Sequence, residues 1–244
     1  MPSIPEPSDI LSLVKAAPHW RVRITPSIFE PMRIADLPTC WKLMESCAVS
    51  LRGWDYPHVD RSDRQNGNDW VASWCDFMGH REYWRLFQSG QFVHLFSFWE
   101  DADSNNLSRA LQKAKVGVPS GAEPSGCVDV IGMLYRFTEI YEFASRYAQK
   151  MALAGTVSIS VELVNVKSRI LTALELSRAW FGYYPAMEAN LLHINDVPVE
   201  RLVGSAQQLA LDETIWFFHR FQWNNPNPTV LQNDQSKFLS RSLR

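Results

Sequence analysis

Hydrophobic and polar positions recur along this chain with two periods, and the change from one to the other marks its elements. In His19–Ile24, Trp20, Val22 and Ile24 alternate with Arg21 and Arg23, the period-two pattern of a strand with one face on a core. Val157, Ile159, Val161 and Leu163 alternate in the same way with Ser158, Ser160 and Glu162. Between Val130 and Met151 the period becomes helical: Val130, Leu134, Phe137, Tyr141, Ala144, Ala148 and Met151 form one stripe, widened by Ile140, Phe143 and Tyr147. A stripe that wide predicts burial on two sides, against a sheet and against a second helix or a second copy of the chain.

The same reading predicts a short helix capped by Ser8, carrying Ile10, Leu13 and Val14 and ending before Pro18, after a Pro-rich extended start. It predicts a helix capped by Asp36 with Leu37, Cys40, Trp41, Met44 and Ala48 on one stripe, a polar surface loop over 61–68, and a helix starting at Asn68 or Asp69 and running through Trp74. Tyr83–Phe87 and Phe92–Trp99 are apolar on both faces and joined by Gln88-Ser89-Gly90-Gln91, so they predict a hairpin at the centre of a sheet with a layer on either side. Residues 100–126 shift to Asp, Asn, Ser, Gly and Lys and predict a mobile connector. Strands at Arg169–Leu174 and Met187–Ile194 follow, then a helix after Pro198 that carries Leu202, Ala206, Leu209, Trp216 and Phe221. Asn224–Pro228 ends that helix, and Val230, Leu231, Phe238 and Leu239 suit one more short helix.

Short hairpin connections, rather than a regular strand–helix alternation, support antiparallel pairing in this order. The expected fold is therefore α+β: a mainly antiparallel sheet covered by helices, in a single compact domain. Residues 1–18 read as an N-terminal arm with a short helix, 19–223 as the domain, and 224–244 as a C-terminal tail.

Composition narrows the function without choosing one. A chain of 244 residues is long enough to bury a core unaided, and a net charge of -2 gives no basic field for nucleic acid, so nucleic acid or nucleotide binding is disfavoured as the main activity. Cys40, Cys47, Cys75 and Cys127 show no CxxC pairing and read as buried thiols in a reducing cytoplasm. The first residues lack the pattern of a signal peptide, and no long apolar window follows, so a soluble cytoplasmic protein without a membrane partner is expected.

The chemistry-bearing residues crowd between Ser50 and Phe98. Arg52, Asp55, His58 and Asp60 lie in a segment bent by Gly53 and Pro57, with Trp54 and Tyr56 as flat walls, a set that suits an anionic, planar ligand clamped by guanidinium and stacked on indole. His80, Arg81, Glu82 and Trp84 form a second polar patch, expected to meet the first at one pocket. Against that stands a loop fixed by an Arg52 pair with Asp55 or Asp60.

No reaction is specified. His80-Arg81-Glu82 offers a His-x-Glu, but the Pro-Cys-x-x-Cys of zinc deaminases is absent. His58, His80 and His94 with Asp55, Asp60 or Glu82 would make a metal-dependent hydrolase acting on phosphodiesters only if they converge, since their spacing carries no ligand signature. Walker, GxGxxG, GxSxG and HExxH motifs are missing, and no cofactor is implied. Glu139 and Glu142, beside Arg136 and Arg146, read as a solvated, ion-paired helix face. Seven of the ten tryptophans precede residue 100, and Trp54, Trp70 and Trp84 are those expected to do more than fill a core.

Three functions follow as expectations. The first is a binding or interaction module with a pocket of Arg52, Trp54, Asp55, His58, His80, Arg81, Glu82 and Trp84, self-associating as a homo-oligomer or joining a protein partner through Phe137, Ile140, Tyr141, Phe143 and Tyr147. The second is the metal-dependent hydrolase. The third is a nucleotide or nucleic-acid sensor with Arg52, Arg81 and Arg85 on phosphate.

Overall fold

The computed structural model describes residues 7–59, 62–114, 118–180 and 182–240. Its first helix, α1 (Pro7–Ala16), leads into β1 (His19–Pro26), whose alternation buries Trp20, Val22 and Ile24 on one face. Asp36 caps α2 (Leu37–Cys47), its carboxylate accepting the Thr39 N–H at 2.7 Å. Three strands come next: β2 (Arg64–Asn66), β3 (Trp70–Phe77) and β4 (His80–Phe87).

Two expectations fail here. The segment around Asn68–Trp74 is strand β3, not a helix, and part of the 61–68 loop is the short edge strand β2. Val71 packs in the main core while Ala72 and Trp74 pack under α1, so β3 is covered on both faces and loses the alternation that would have revealed it.

The chain continues through β5 (Phe92–Ser97), a 3-10 turn at Trp99–Ala102, α3 (Asn105–Lys113) and β6 (Gly126–Asp129). Thus the polar stretch 100–126 contains a helix. Then follow α4 (Val130–Lys150), β7 (Thr156–Val164), β8 (Arg169–Thr172), β9 (Tyr184–Pro185), β10 (Leu191–Pro198), α5 (Val199–Arg220) and α6 (Pro228–Leu239).

Seven strands form one antiparallel sheet in the order β10-β7-β1-β5-β4-β3-β2, and β6, β8 and β9 form a small second sheet in which β6 and β8 run parallel. This is the α+β fold expected, with β4 and β5 inside the sheet. Ile10 and Val14 of α1 cover one face over Ala72, Trp74, Tyr83 and Leu95. Burying each such side chain contributes about 1.5–3 kcal/mol. The other face carries α4, backed by α5, and α6 closes on α4 by stacking Phe238 on Tyr135 with ring centroids 4.0 Å apart. Among the described residues no helix is long and apolar enough to cross a membrane.

The width of the α4 stripe has an intramolecular cause. Phe137, Ile140, Tyr141, Phe143 and Tyr147 are all fully buried in this one chain. Phe137 lies between Trp20 and Phe217, Phe143 packs on Phe92, and the Tyr147 hydroxyl donates to the Gly90 carbonyl at 2.7 Å. These residues, expected at an interface, are core, and the second layer they needed is α5. Gly90, at the β4–β5 turn, has φ +83°, a backbone conformation that side-chain-bearing residues rarely adopt.

Candidate functional site

A pinched loop carries the first polar patch. Val49 and Tyr56 exchange backbone hydrogen bonds of 2.8 and 2.9 Å, which throws residues 50–55 outwards beside the start of β4. From this loop the Trp54 indole donates to Glu82 Oε1 at 2.6 Å, and the His58 N–H approaches Oε2 at 3.4 Å. His80 Nε2 meets the same carboxylate at 2.7 Å and His94 Nε2 at 3.1 Å. The two patches therefore meet, with Glu82 as the point of contact.

Glu82 is ionised. Burial opposes its charge, yet hydrogen bonds from His80 and His94 hold its carboxyl well below the usual range. Burial pushes both imidazoles down despite the carboxylate beside them, so they are neutral and donate through Nε2. The other side of His80 faces Ser97, whose hydroxyl lies 3.3 Å from Nδ1 and accepts the Arg81 N–H, ending the β4–β5 ladder. His80 is also stacked flat on Trp99 at 3.8 Å, and His58 on Trp54 at 4.2 Å.

Strand alternation decides which expected residues join. Trp84, on the Glu82 face of β4, donates to the His58 carbonyl at 2.7 Å and packs edge-on against Trp41, fully buried. Arg81 and Arg85 fall on the opposite face. Arg81 pairs with Asp76 at 2.8 Å, and Arg85 lies over Trp70 and donates to the Tyr83 hydroxyl. The three arginines expected to share a phosphate do not converge. Asp55 takes no part in the Glu82 network, and Asp60 lies outside the described residues. His80 and His94 spend Nε2 on Glu82, and among the described residues no three His, Cys, Asp or Glu side chains are grouped to hold a metal ion.

Arg52 finds a partner from another element. Its Nε and Nη2 donate to the two oxygens of Glu139 on α4, both at 2.8 Å, rather than to Asp55. Glu139 is fully buried and Arg136 nearly so at 4% exposure, which corrects the expectation of a solvated face. Arg136 Nη1 lies 3.1 Å from Glu139 Oε2 without the alignment of a hydrogen bond, and Nη1 and Nη2 have no hydrogen-bond partner among the described residues. Its guanidinium lies over Phe96, 4.7 Å from the ring centroid, and 5.5 Å from that of Tyr56.

Two spaces adjoin this pair and share Arg52 and Trp99 in their walls. Outside is an open cleft of about 360 Å³ lined by Arg52, Gly53, Trp54, Phe77 and Trp99. Inside is a cavity of about 50 Å³, whose wall includes Arg52 and Trp99 again, with Trp20, Ser97, Glu100 and Arg136. Trp54 meets Trp99 edge-on at 5.7 Å and lies 5.4 Å from Phe77, so the cleft has three aromatic walls.

The sequence reading missed Phe77, Trp99, Glu100 and Arg136. For Arg136 a signal existed: Arg136 and Glu139 stand three apart on a helix otherwise apolar around most of its circumference, the pattern of an inward pair. The fold and site define a helix-covered antiparallel-sheet protein with an aromatic cleft over a buried arginine–glutamate cluster. Compared with protein-family models, curated proteins and solved structures, the chain matches none of them.

Proposed function

We propose that this protein is a binding module for a small, planar, negatively charged ligand, held in the cleft of Arg52, Gly53, Trp54, Phe77 and Trp99. The observation that carries this reading is that the cleft and the cavity beside Arg136 share Arg52 and Trp99 as walls. Flat aromatic walls favour a ring, the cleft is within the size range of small-molecule pockets, and the unpartnered terminal nitrogens of Arg136 offer guanidinium donors to an anion. Phe77, one of the cleft's walls, is half exposed, which gives the cleft an apolar edge. A cytoplasmic location belongs to the same reading, supported by four free, buried thiols.

Titration with 2-naphthol and 2-naphthoate, followed by tryptophan fluorescence, tests it. Saturable quenching that weakens at least fivefold in Trp54→Ala is expected. Flat titrations with both compounds, and no gain in melting temperature, would overturn the reading.

A further inference from the structure

We propose that the ligand's negative charge is a carboxylate, seated in the inner cavity against Arg136, with its aromatic part in the outer cleft. This inference rests on the cleft reading and specifies its ligand class.

Three observations lead to it. First, Arg136 is a buried guanidinium whose terminal nitrogens are both without a hydrogen-bond partner among the described residues, and it lines the cavity. Unmade hydrogen bonds on a buried charged group are costly, so such donors call for an acceptor. Nη1 and Nη2 form a planar fork that matches the two oxygens of a carboxylate.

Second, the cavity of about 50 Å³ has room for a few water-sized groups. A planar group with two oxygens fits that space better than a tetrahedral phosphate with its extra oxygens.

Third, the charges favour a monoanion. Arg52 and Arg136 share the carboxylate of Glu139, and the ionised Glu82 also acts on Arg136, so the cluster has little positive charge to spare for a second negative charge on the ligand. Glu100 stands in the cavity wall, its Oε1 already accepting the Asp129 N–H at 2.7 Å. Burial pushes the Glu100 carboxyl up to about 7, so near neutral pH much of it carries a proton and can donate to a bound carboxylate. A dianion would meet more repulsion as that proton leaves.

The test uses the wild-type protein and four probes of one ring system: 2-naphthoate, 2-naphthamide, 2-naphthyl phosphate and 2-naphthol. Naphthoate is expected to bind at least tenfold more tightly than the other three, and Arg136→Lys to weaken naphthoate while leaving naphthol unchanged. The comparison of probes on the wild-type protein stands even where that variant does not fold. Equal affinity for naphthamide, or tighter binding of the phosphate, would overturn the carboxylate assignment while leaving the cleft in place. Naphthoate no tighter than naphthol would show a cavity filled by water alone and overturn it too. Binding of none of the four would overturn both readings.

Discussion

The Trp54 indole donates to Glu82 Oε1 across 2.6 Å, joining a loop to a strand that lies 28 residues further along the chain. That bond seats Trp54 against Trp99 and gives the cleft one of its walls. Binding and stability are thus coupled through a carboxylate that faces the sheet's interior.

Glu82→Gln should cost about 3 kcal/mol at pH 7, since it replaces a buried carboxylate serving several donors with a group that can accept at only one of its two heads. The folded carboxyl lies well below its ordinary value, so the unfolded chain binds the extra proton first as pH falls. The contribution is complete above the unfolded value and is lost as pH drops from there through the folded one. Urea denaturation at pH 7 and at pH 3.5 checks this: the gap between wild type and variant should narrow in acid.

The Arg52–Glu139 pair has bidentate geometry with its carboxylate fully buried, unlike an ordinary surface ion pair. A double-mutant cycle with Arg52→Ala and Glu139→Gln should give a coupling of about 1–3 kcal/mol. A coupling near zero by chemical denaturation would mean that Arg136 alone neutralises Glu139.

Much of the fold was legible because hydrophobic pattern reports burial on one face. The alternation around Trp20 and around Ile159 marks strands with one face in the core, and the α4 stripe survives because a helix of that length repeats it several times. β3 was not legible. With Val71 in one core and Trp74 in another, no period remains to tell strand from helix. For the site, chain proximity brought Trp54, His58, His80, Glu82 and Trp84 into view, and all five meet. Arg81 was misplaced because adjacent strand residues face opposite sides. Arg136 and Glu139 were read as a solvated face because their second partner, Arg52, lies 87 residues from Glu139, and Glu100 was missed because the backbone N–H it accepts, that of Asp129, lies 29 residues on.

Glu100→Gln should stabilise the protein at pH 8 by about 1 kcal/mol, discounted for a residue that is only half-buried. The groups facing Glu100 are Asp129 at the start of α4, Arg136 on α4, Arg169 on β8 and Asp101 beside it. Burial raises its carboxyl to about 7, so the folded protein holds a proton that the unfolded chain has released. Its contribution is complete below the unfolded value and disappears as pH rises through about 7. Melting temperatures from pH 5 to pH 8.5 should fall less steeply for the variant than for wild type. Naphthoate affinity in the wild type should decline over the same interval.

Phe143→Ala distinguishes a core role for the α4 stripe from a role between copies of the chain. Phe143 is fully buried between Phe92, Tyr56 and Tyr147, so truncation should cost about 3–5 kcal/mol, the transfer of a ring plus the cavity left behind. A core residue loses that stability whatever the protein concentration. A residue buried only by association would give a melting temperature that rises with concentration in the wild type and no longer does so in the variant. The packing of Phe143 leads to the first result: a large loss, with melting temperatures of wild type and variant each unchanged over a hundredfold range of concentration.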